Sequence, residues 1–136
     1  MSNELEYLGW LIKRLQHKHH RALDTEFALL DTSLVQWNAL REIDRNPKST
    51  QHRLAAMTFN SDQAFGTLLS RLQKRGLVEE QQKLGRATFH QLTQKGENLL
   101  REGQLVMSAV LAQSFSTLTV KERKQLKLLI IKVLDQ

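Results

Sequence analysis

The stretch that decides the fold is TQHRLAAMTFNSDQAFGTLLSRLQKRGLVEEQQKLGRATFHQL, residues 50–92. Ser49 and Thr50 are cap residues for a short helix, and a turn of about three residues separates it from a second helix that begins at Asn60 or Ser61. Gly76 is the residue type expected just past a helix end. A hairpin follows. This order predicts a winged helix-turn-helix unit over residues 33–92, in a mainly α protein with a small β-hairpin wing.

The second of these helices has one apolar face and one polar face. Phe65, Leu68 and Leu72 recur at helical spacing and predict the buried face. The opposite face carries mostly short polar side chains, namely Asp62, Gln63, Gly66, Thr67, Ser70 and Lys74. A tight turn fixes such a helix at a steep angle to its neighbour, so its polar face projects and can enter a major groove of DNA.

The polar face supplies the candidate contacts to double-stranded DNA. Gln63 matches a bidentate contact to adenine, and Thr67 matches a contact to a base edge or a thymine methyl. Arg71 and Lys74 can reach phosphates, whereas Asp62 is explained as a first-turn residue that suits the helix dipole. The predicted contact set on this helix is Ser61, Asp62, Gln63, Thr67, Ser70, Arg71 and Lys74.

The hairpin after Gly76 is predicted to be the wing, with Gly85 in its turn. Lys83 and Arg86 flank the tip. A cation on a thin loop suits a narrow minor groove, where the negative potential is enhanced. We therefore predict that Lys83 and Arg86 are the wing's contacts. Glu79 and Glu80 are neighbours on a strand and point to opposite faces, so they do not form a catalytic carboxylate pair.

The two ends of the chain are rich in apolar helical surface. One long helix is predicted over residues 3–30, with Leu5, Leu8, Ile12 and Leu15 near a seven-residue repeat. Thr93 and Thr119 cap two further helices, and the last is apolar on nearly every side. A single domain of 136 residues has too little structure of its own to cover these surfaces. We expect residues 3–30 and 94–136 to build a homodimer interface.

Composition narrows the function classes. The chain carries 20 Lys and Arg against 14 Asp and Glu, a formal charge of +6. Residues 33–93 hold nine of the basic and five of the acidic residues, so most of the charge lies in the proposed DNA-reading unit. Cysteine is absent, which excludes thiolate metal sites and thiol chemistry. Without a signal or membrane-length apolar run we expect a cytoplasmic protein with no membrane partner.

The residues also resemble those of a known family. Leu54-Ala55, the run LSRLQKRGLVE at 69–79, Arg86-Ala87 and the run LTQKGE at 92–97 are similar to the MarR (multiple antibiotic resistance regulator) family. The resemblance in layout covers nearly the whole chain. It implies a dimeric transcriptional regulator, by expectation a repressor, which binds a pseudo-palindromic operator through its winged helix-turn-helix. It also implies release by a small, often aromatic, effector.

The resemblance departs from the family pattern in the wing. Family wings carry an Asp-Arg-Arg-like sequence where this chain has Leu84, Gly85 and Arg86, and the segment is a residue or two shorter. Arg86 therefore lacks the carboxylate that usually orients it. This departure motivates an alternative function beside DNA binding, in which the dimer keeps the fold but serves as a ligand-binding or protein-binding module without specific DNA binding.

Other candidate sites carry less weight. The resemblance suggests Trp10 and Trp37 as an effector pocket, although helical aromatics more often belong to the core. His17, His20 and Asp24 share a helix face, but three ligands on successive turns rarely converge on one metal ion, so no metal is expected. His19 is predicted to be a packed or interfacial residue. No phosphate-binding loop, nucleophile elbow or metalloprotease spacing occurs, which predicts neither an enzyme nor a cofactor.

Overall fold

The computed structural model describes residues 3–81 and 88–136. These residues form six α-helices, a 3-10 turn and two strands: α1 Glu4–Ala28, α2 Leu34–Arg45, α3 Gln51–Met57, α4 Asp62–Lys74, β1 Val78–Gln81, β2 Phe89–Leu92, α5 Gln94–Ser114, the 3-10 turn Phe115–Thr117 and α6 Val120–Leu134. The mainly α fold with a small β-hairpin is confirmed. The turn predicted at Gly85 lies outside the described residues.

Five of the helices begin at a Ser or Thr whose side-chain oxygen accepts a backbone N–H three residues later. The pairs are Ser33 with Gln36, Thr50 with Arg53, Ser61 with Ala64, Thr93 with Gly96, and Thr119 with Glu122. Each such cap stabilises its helix by about 1 kcal/mol. The helix starts predicted from these residues are therefore confirmed, because capping is a local interaction that needs no distant partner.

The core joins the helix-turn-helix to α5 and to the end of α1. Phe65, Leu68 and Leu72 of α4 are buried against Leu40 of α2 and Leu54 of α3, as their spacing predicts. A second buried cluster is centred on Trp37. The Trp37 ring stacks on Phe27 with 5.6 Å between ring centroids, and its Nε1 donates to the backbone oxygen of Leu100 at 3.1 Å. These contacts bind α1, α2 and α5 together.

The end of α4 is closed by paired backbone hydrogen bonds around a glycine. Gly76 has φ +72°, and its N–H donates to the carbonyl of Gln73 while the N–H of Leu77 donates to the carbonyl of Leu72, both at 3.0 Å. This is the Schellman arrangement, which favours glycine because its left-handed residue lacks a Cβ. Leu77 is thereby turned into the core, and β1 starts in a defined direction.

The turn between α3 and α4 uses the same arrangement with a less suitable residue. The N–H of Phe59 donates to the carbonyl of Ala56 at 3.2 Å, and the N–H of Asn60 donates to that of Ala55 at 2.9 Å. Phe59 occupies the left-handed position with φ +61°, and its side chain is 97% exposed. The ring therefore gains no packing within the protomer to offset its unfavourable backbone conformation.

We expect the substitution Phe59→Gly to raise the free energy of unfolding by about 1 kcal/mol, because glycine adopts positive φ without a Cβ clash. Urea denaturation of both proteins measures the change. Phe59→Ala is the matched control, since it removes the ring and keeps the Cβ, and it should not stabilise the fold. Equal stabilisation by Ala and Gly would show that the backbone conformation is not the cause.

Apolar surface remains uncovered at both ends of the chain. Leu5 is 82% exposed and Ile12 60% exposed on the first half of α1. None of the residues of α6 is buried within the protomer, although its sequence includes Leu128, Ile131 and Leu134. In the part of the chain that the structure describes, no helix has both the length and the apolar character needed to span a membrane.

Candidate nucleic-acid interface

The polar face of α4 is solvent-exposed. All seven predicted contact residues of this helix have exposed side chains: Ser61, Asp62, Gln63, Thr67, Ser70, Arg71 and Lys74. Gly66 differs from them because α3 crosses close by. A Cβ at Gly66 would lie 3.0 Å from Nε2 of Gln51, so this position is half covered and does not face outward freely.

The exposed side chains differ in how far they are already engaged. The Ser61 hydroxyl accepts the N–H of Ala64 at 3.0 Å, and the Thr67 hydroxyl donates to the backbone oxygen of Gln63 at 3.2 Å. Within residues 3–81 and 88–136, the side chains of Gln63, Ser70, Arg71 and Lys74 make no hydrogen bond or ion pair. Their amide, hydroxyl and cationic groups are therefore available to an external polyanion.

A contact across the turn adds a residue that the sequence did not single out. Nδ1 of His52 on α3 lies 2.9 and 3.0 Å from the two carboxylate oxygens of Asp62. The side chains are 80% and 65% exposed. His52 belongs to the first turn of α3 and Asp62 to the first turn of α4, so only the packing of the two helices brings them together. The one available signal was that both residues follow cap residues in a helix-turn-helix pattern.

Arg75, the residue that follows α4, has a structural role. Nη1 of Arg75 donates to Oε1 of Gln36 at 2.5 Å, and its Nη2 lies 3.6 Å from Oδ2 of Asp31. The backbone oxygen of Arg75 accepts from Nζ of Lys95 at 2.9 Å. Arg75 thus ties the end of α4 to α2 and to the loop before it, which leaves Arg71 and Lys74 as the outward cations of α4.

The described part of the wing is its base, formed by β1 and β2. β1 and β2 pair antiparallel, with Val78 opposite Leu92 and Glu80 opposite His90. His90 is buried, and burial lowers the pKa of its imidazole, while the Glu80 carboxylate 4.0 Å away acts in the opposite direction. Lowering of the pKa by burial favours the neutral ring. The predicted contacts Lys83 and Arg86 lie outside the described residues.

The structure does not bring Trp10 and Trp37 together. Trp37 is fully enclosed between Phe27 and Gly103, where even an added Cβ would meet its ring. Trp10 is 54% exposed and lines an open groove formed by α1 residues alone. The expectation of a shared effector pocket is corrected here, because packing against α5 makes Trp37 a core residue and leaves no face of its ring for a ligand.

Two of the three histidines of α1 make polar side-chain contacts. Nε2 of His20 lies 3.1 Å from Oδ2 of Asp24, whose Oδ1 accepts the N–H of Leu34 at 2.8 Å. His17 does not join them, and residues 3–81 and 88–136 contain no group of three or more potential metal ligands. Nε2 of His19 lies 2.6 Å from the Ser114 hydroxyl, so His19 packs α1 on α5. Burial lowers the pKa of His19.

Comparison with known proteins agrees with this geometry. A family model described as MarR family matches residues 30–87. A mutant MarR from E. coli complexed with operator DNA is 28% identical, with a TM-score of 0.87 over 97% of this chain and 96% of that chain. Wild-type E. coli MarR in its apo form is 28% identical, with a TM-score of 0.81 over 93% of this chain and 96% of that chain.

A more distant match shares the fold. A MarR family protein of Mycobacterium tuberculosis in complex with salicylic acid is 24% identical, with a TM-score of 0.78 over 93% of this chain and 95% of that chain. No curated protein sequence matches. The family match over residues 30–87 and the agreement in fold along almost the full length show that the chain is similar to MarR family proteins and shares their winged helix-turn-helix fold.

Proposed function

We propose that the chain is a cytoplasmic transcriptional repressor that binds a pseudo-palindromic DNA operator as a homodimer, and that it is not an enzyme. The observation that carries the proposal is the exposed polar face of α4, held by a helix-turn-helix whose apolar face is buried. The E. coli MarR mutant with the same fold is complexed with operator DNA.

The charges of the α4 surface suit a phosphate backbone. Arg71 and Lys74 are exposed and unengaged within the described residues, and Arg53 is exposed on the neighbouring helix α3. The one acidic residue of α4, Asp62, faces the imidazole of His52. Cations in this arrangement bind phosphates without regard to sequence, while Gln63 and Thr67 are placed to distinguish bases.

A second copy of the chain is the proposed cover for the apolar surfaces of α1 and α6. The exposed leucines and isoleucines of these helices are more than scattered surface residues, because no residue of α6 is buried in the protomer. Phe115, Leu126 and Ile130 line an open apolar groove along α6 into which side chains of the partner would fit. A two-fold axis between protomers presents two α4 helices to DNA, which is why the operator is proposed to be pseudo-palindromic.

Selection of bound fragments from a genomic DNA pool tests DNA binding and identifies the operator in one experiment. Enrichment of fragments with a shared inverted repeat is the expected result. Failure to retain any fragment, with the dimer intact, would contradict the proposal and favour the alternative ligand-binding or protein-binding module. If a fragment is selected, a small aromatic effector, proposed from the family resemblance, is tested by its ability to release that fragment.

Two substitutions on α4 should separate affinity from specificity. Arg71→Ala is expected to weaken binding to operator and random DNA alike, because a phosphate contact is independent of sequence. Gln63→Ala should lower the ratio of specific to non-specific affinity by about tenfold, since a bidentate base contact is lost. Fluorescence anisotropy measures the affinity of each variant for the operator duplex and for the random duplex, in comparison with the wild type.

Arg101→Ala is the matched charge control, because Arg101 is exposed on α5 outside the winged helix-turn-helix. It should leave both affinities nearly unchanged. If Arg71→Ala and Gln63→Ala lowered operator binding and random binding in the same proportion, the division of roles between the two residues would be wrong.

A further inference from the structure

The contact between His52 and Asp62 gives the start of α4 a polar group with a defined orientation. An ionised carboxylate only accepts hydrogen bonds, so Nδ1 of His52 must carry the hydrogen and donate to it. The donor lies almost equally far from both oxygens, at 2.9 and 3.0 Å. Each oxygen keeps lone pairs that are not used by the imidazole. Asp62 is thus held in place and still able to accept.

Stability does not explain this pair. Both side chains are mostly exposed, and ion pairs in such positions contribute little to folding. The helix dipole likewise needs only the carboxylate in the first turn and makes no use of a histidine on another helix. The pair does matter at a DNA surface. A free carboxylate there would repel phosphates, whereas the adjoining imidazole fixes its orientation through an N–H donor.

We propose that Asp62 is a specificity-determining residue that accepts a hydrogen bond from the N4 amino group of a cytosine in the major groove, and that His52 is its positioning residue. Asp62 occupies the first position of α4, the end of a recognition helix that contacts base edges. Cytosine fits because its major-groove edge presents a donor without an acceptor. Guanine presents two acceptors, and adenine presents the N7 acceptor beside its amino donor. Both edges therefore repel a carboxylate.

The inference rests on the proposed DNA-binding function, and variants separate the two. A duplex library randomised within the selected operator is bound by the wild-type chain and by Asp62→Ala, Asp62→Asn, His52→Ala and His52→Gln. The wild type should prefer cytosine at one position of each half-site. Asp62→Ala should reduce that preference about tenfold, while preferences at other positions persist. Asp62→Asn should transfer the preference to adenine, which an amide recognises by a bidentate contact.

The histidine variants test positioning. His52→Ala should weaken the cytosine preference, because Asp62 keeps its charge and loses its orientation. His52→Gln supplies another N–H donor and should restore the preference in part, a rescue that a merely structural role would not produce. Thermal unfolding of each variant is expected to match that of the wild type because both residues are exposed.

The outcomes are distinguishable. An intact cytosine preference in Asp62→Ala overturns the role of Asp62, and equal preferences in the two histidine variants overturn the role of His52. In both cases operator binding by the wild type leaves the proposed function standing. If the wild-type chain selects no sequence at all, the proposed function itself fails, and this inference fails with it.

Discussion

The affinity of the chain for its operator is expected to fall by roughly 10³-fold when the salt concentration is raised from about 50 to about 200 mM. Each lysine or arginine at a phosphate displaces condensed counterions from DNA, so added salt opposes binding. Arg71, Lys74 and Arg53 are exposed on the two helices of the helix-turn-helix. A dimer has twice as many of these cations. The number of phosphate contacts they can make lies in the range that produces so steep a dependence on salt.

Fluorescence anisotropy of a labelled operator duplex across a salt series measures this effect. The slope of log affinity against log salt should become shallower by about two units per dimer in Arg71→Ala, since one phosphate contact is lost from each protomer. Arg101→Ala should keep the wild-type slope. Titration at high concentration is expected to saturate at two chains per duplex. Tight binding with no dependence on salt would contradict the phosphate contacts on which the proposed function depends.

The substitution Gly103→Ala is expected to lower the free energy of unfolding by about 3 kcal/mol, the upper part of the usual range for overpacking a core. A Cβ at Gly103 would lie 2.1 Å from Nε1 and 2.3 Å from Cδ1 of Trp37, and 3.0 Å from Cε1 of Phe27. The indole cannot easily move away, because it stacks on Phe27 and donates a hydrogen bond to the Leu100 carbonyl. α5 would have to separate from α2.

Thermal unfolding should show a melting temperature about 10 °C below that of the wild type. The neighbouring exposed residue provides the control, because Gln104→Ala changes the same helix without approaching the core and should shift stability by less than about 0.5 kcal/mol. In an open helix position, glycine to alanine is stabilising by about 1 kcal/mol. A Gly103→Ala protein as stable as the wild type would therefore show that α5 does not pack this closely on Trp37.

Much of the fold followed from local chemistry. Ser61 and Thr119 predict helix starts because the oxygen of a short side chain accepts a backbone N–H three residues away. Gly76 predicts a helix end because glycine adopts the left-handed conformation without steric strain. The periodic apolar residues of α4 identified its buried face, and the polar face followed as its complement. Each of these signals acts within one or two helical turns.

Contacts between distant segments were beyond the reach of the same reasoning. Trp37 could line a pocket or fill the core, and the choice depends on Gly103, which lies on another helix and lets the indole approach. The pairing of His52 with Asp62 could not be predicted, since neither apolar periodicity nor capping marks a partner across a turn. Phe59 carried no sign of its left-handed backbone, because the residue type usual at such a position is glycine.

The sequence by itself determined where the helices begin and end, which face of α4 is apolar, and the winged helix-turn-helix order, because these depend on caps, glycine and periodicity over a few residues. Only the tertiary structure decided that Trp37 belongs to the core, that Arg75 is tied to α2, and that His52 meets the carboxylate of Asp62. Such pairings depend on how two helices cross, and that geometry is set by the packing of the whole core.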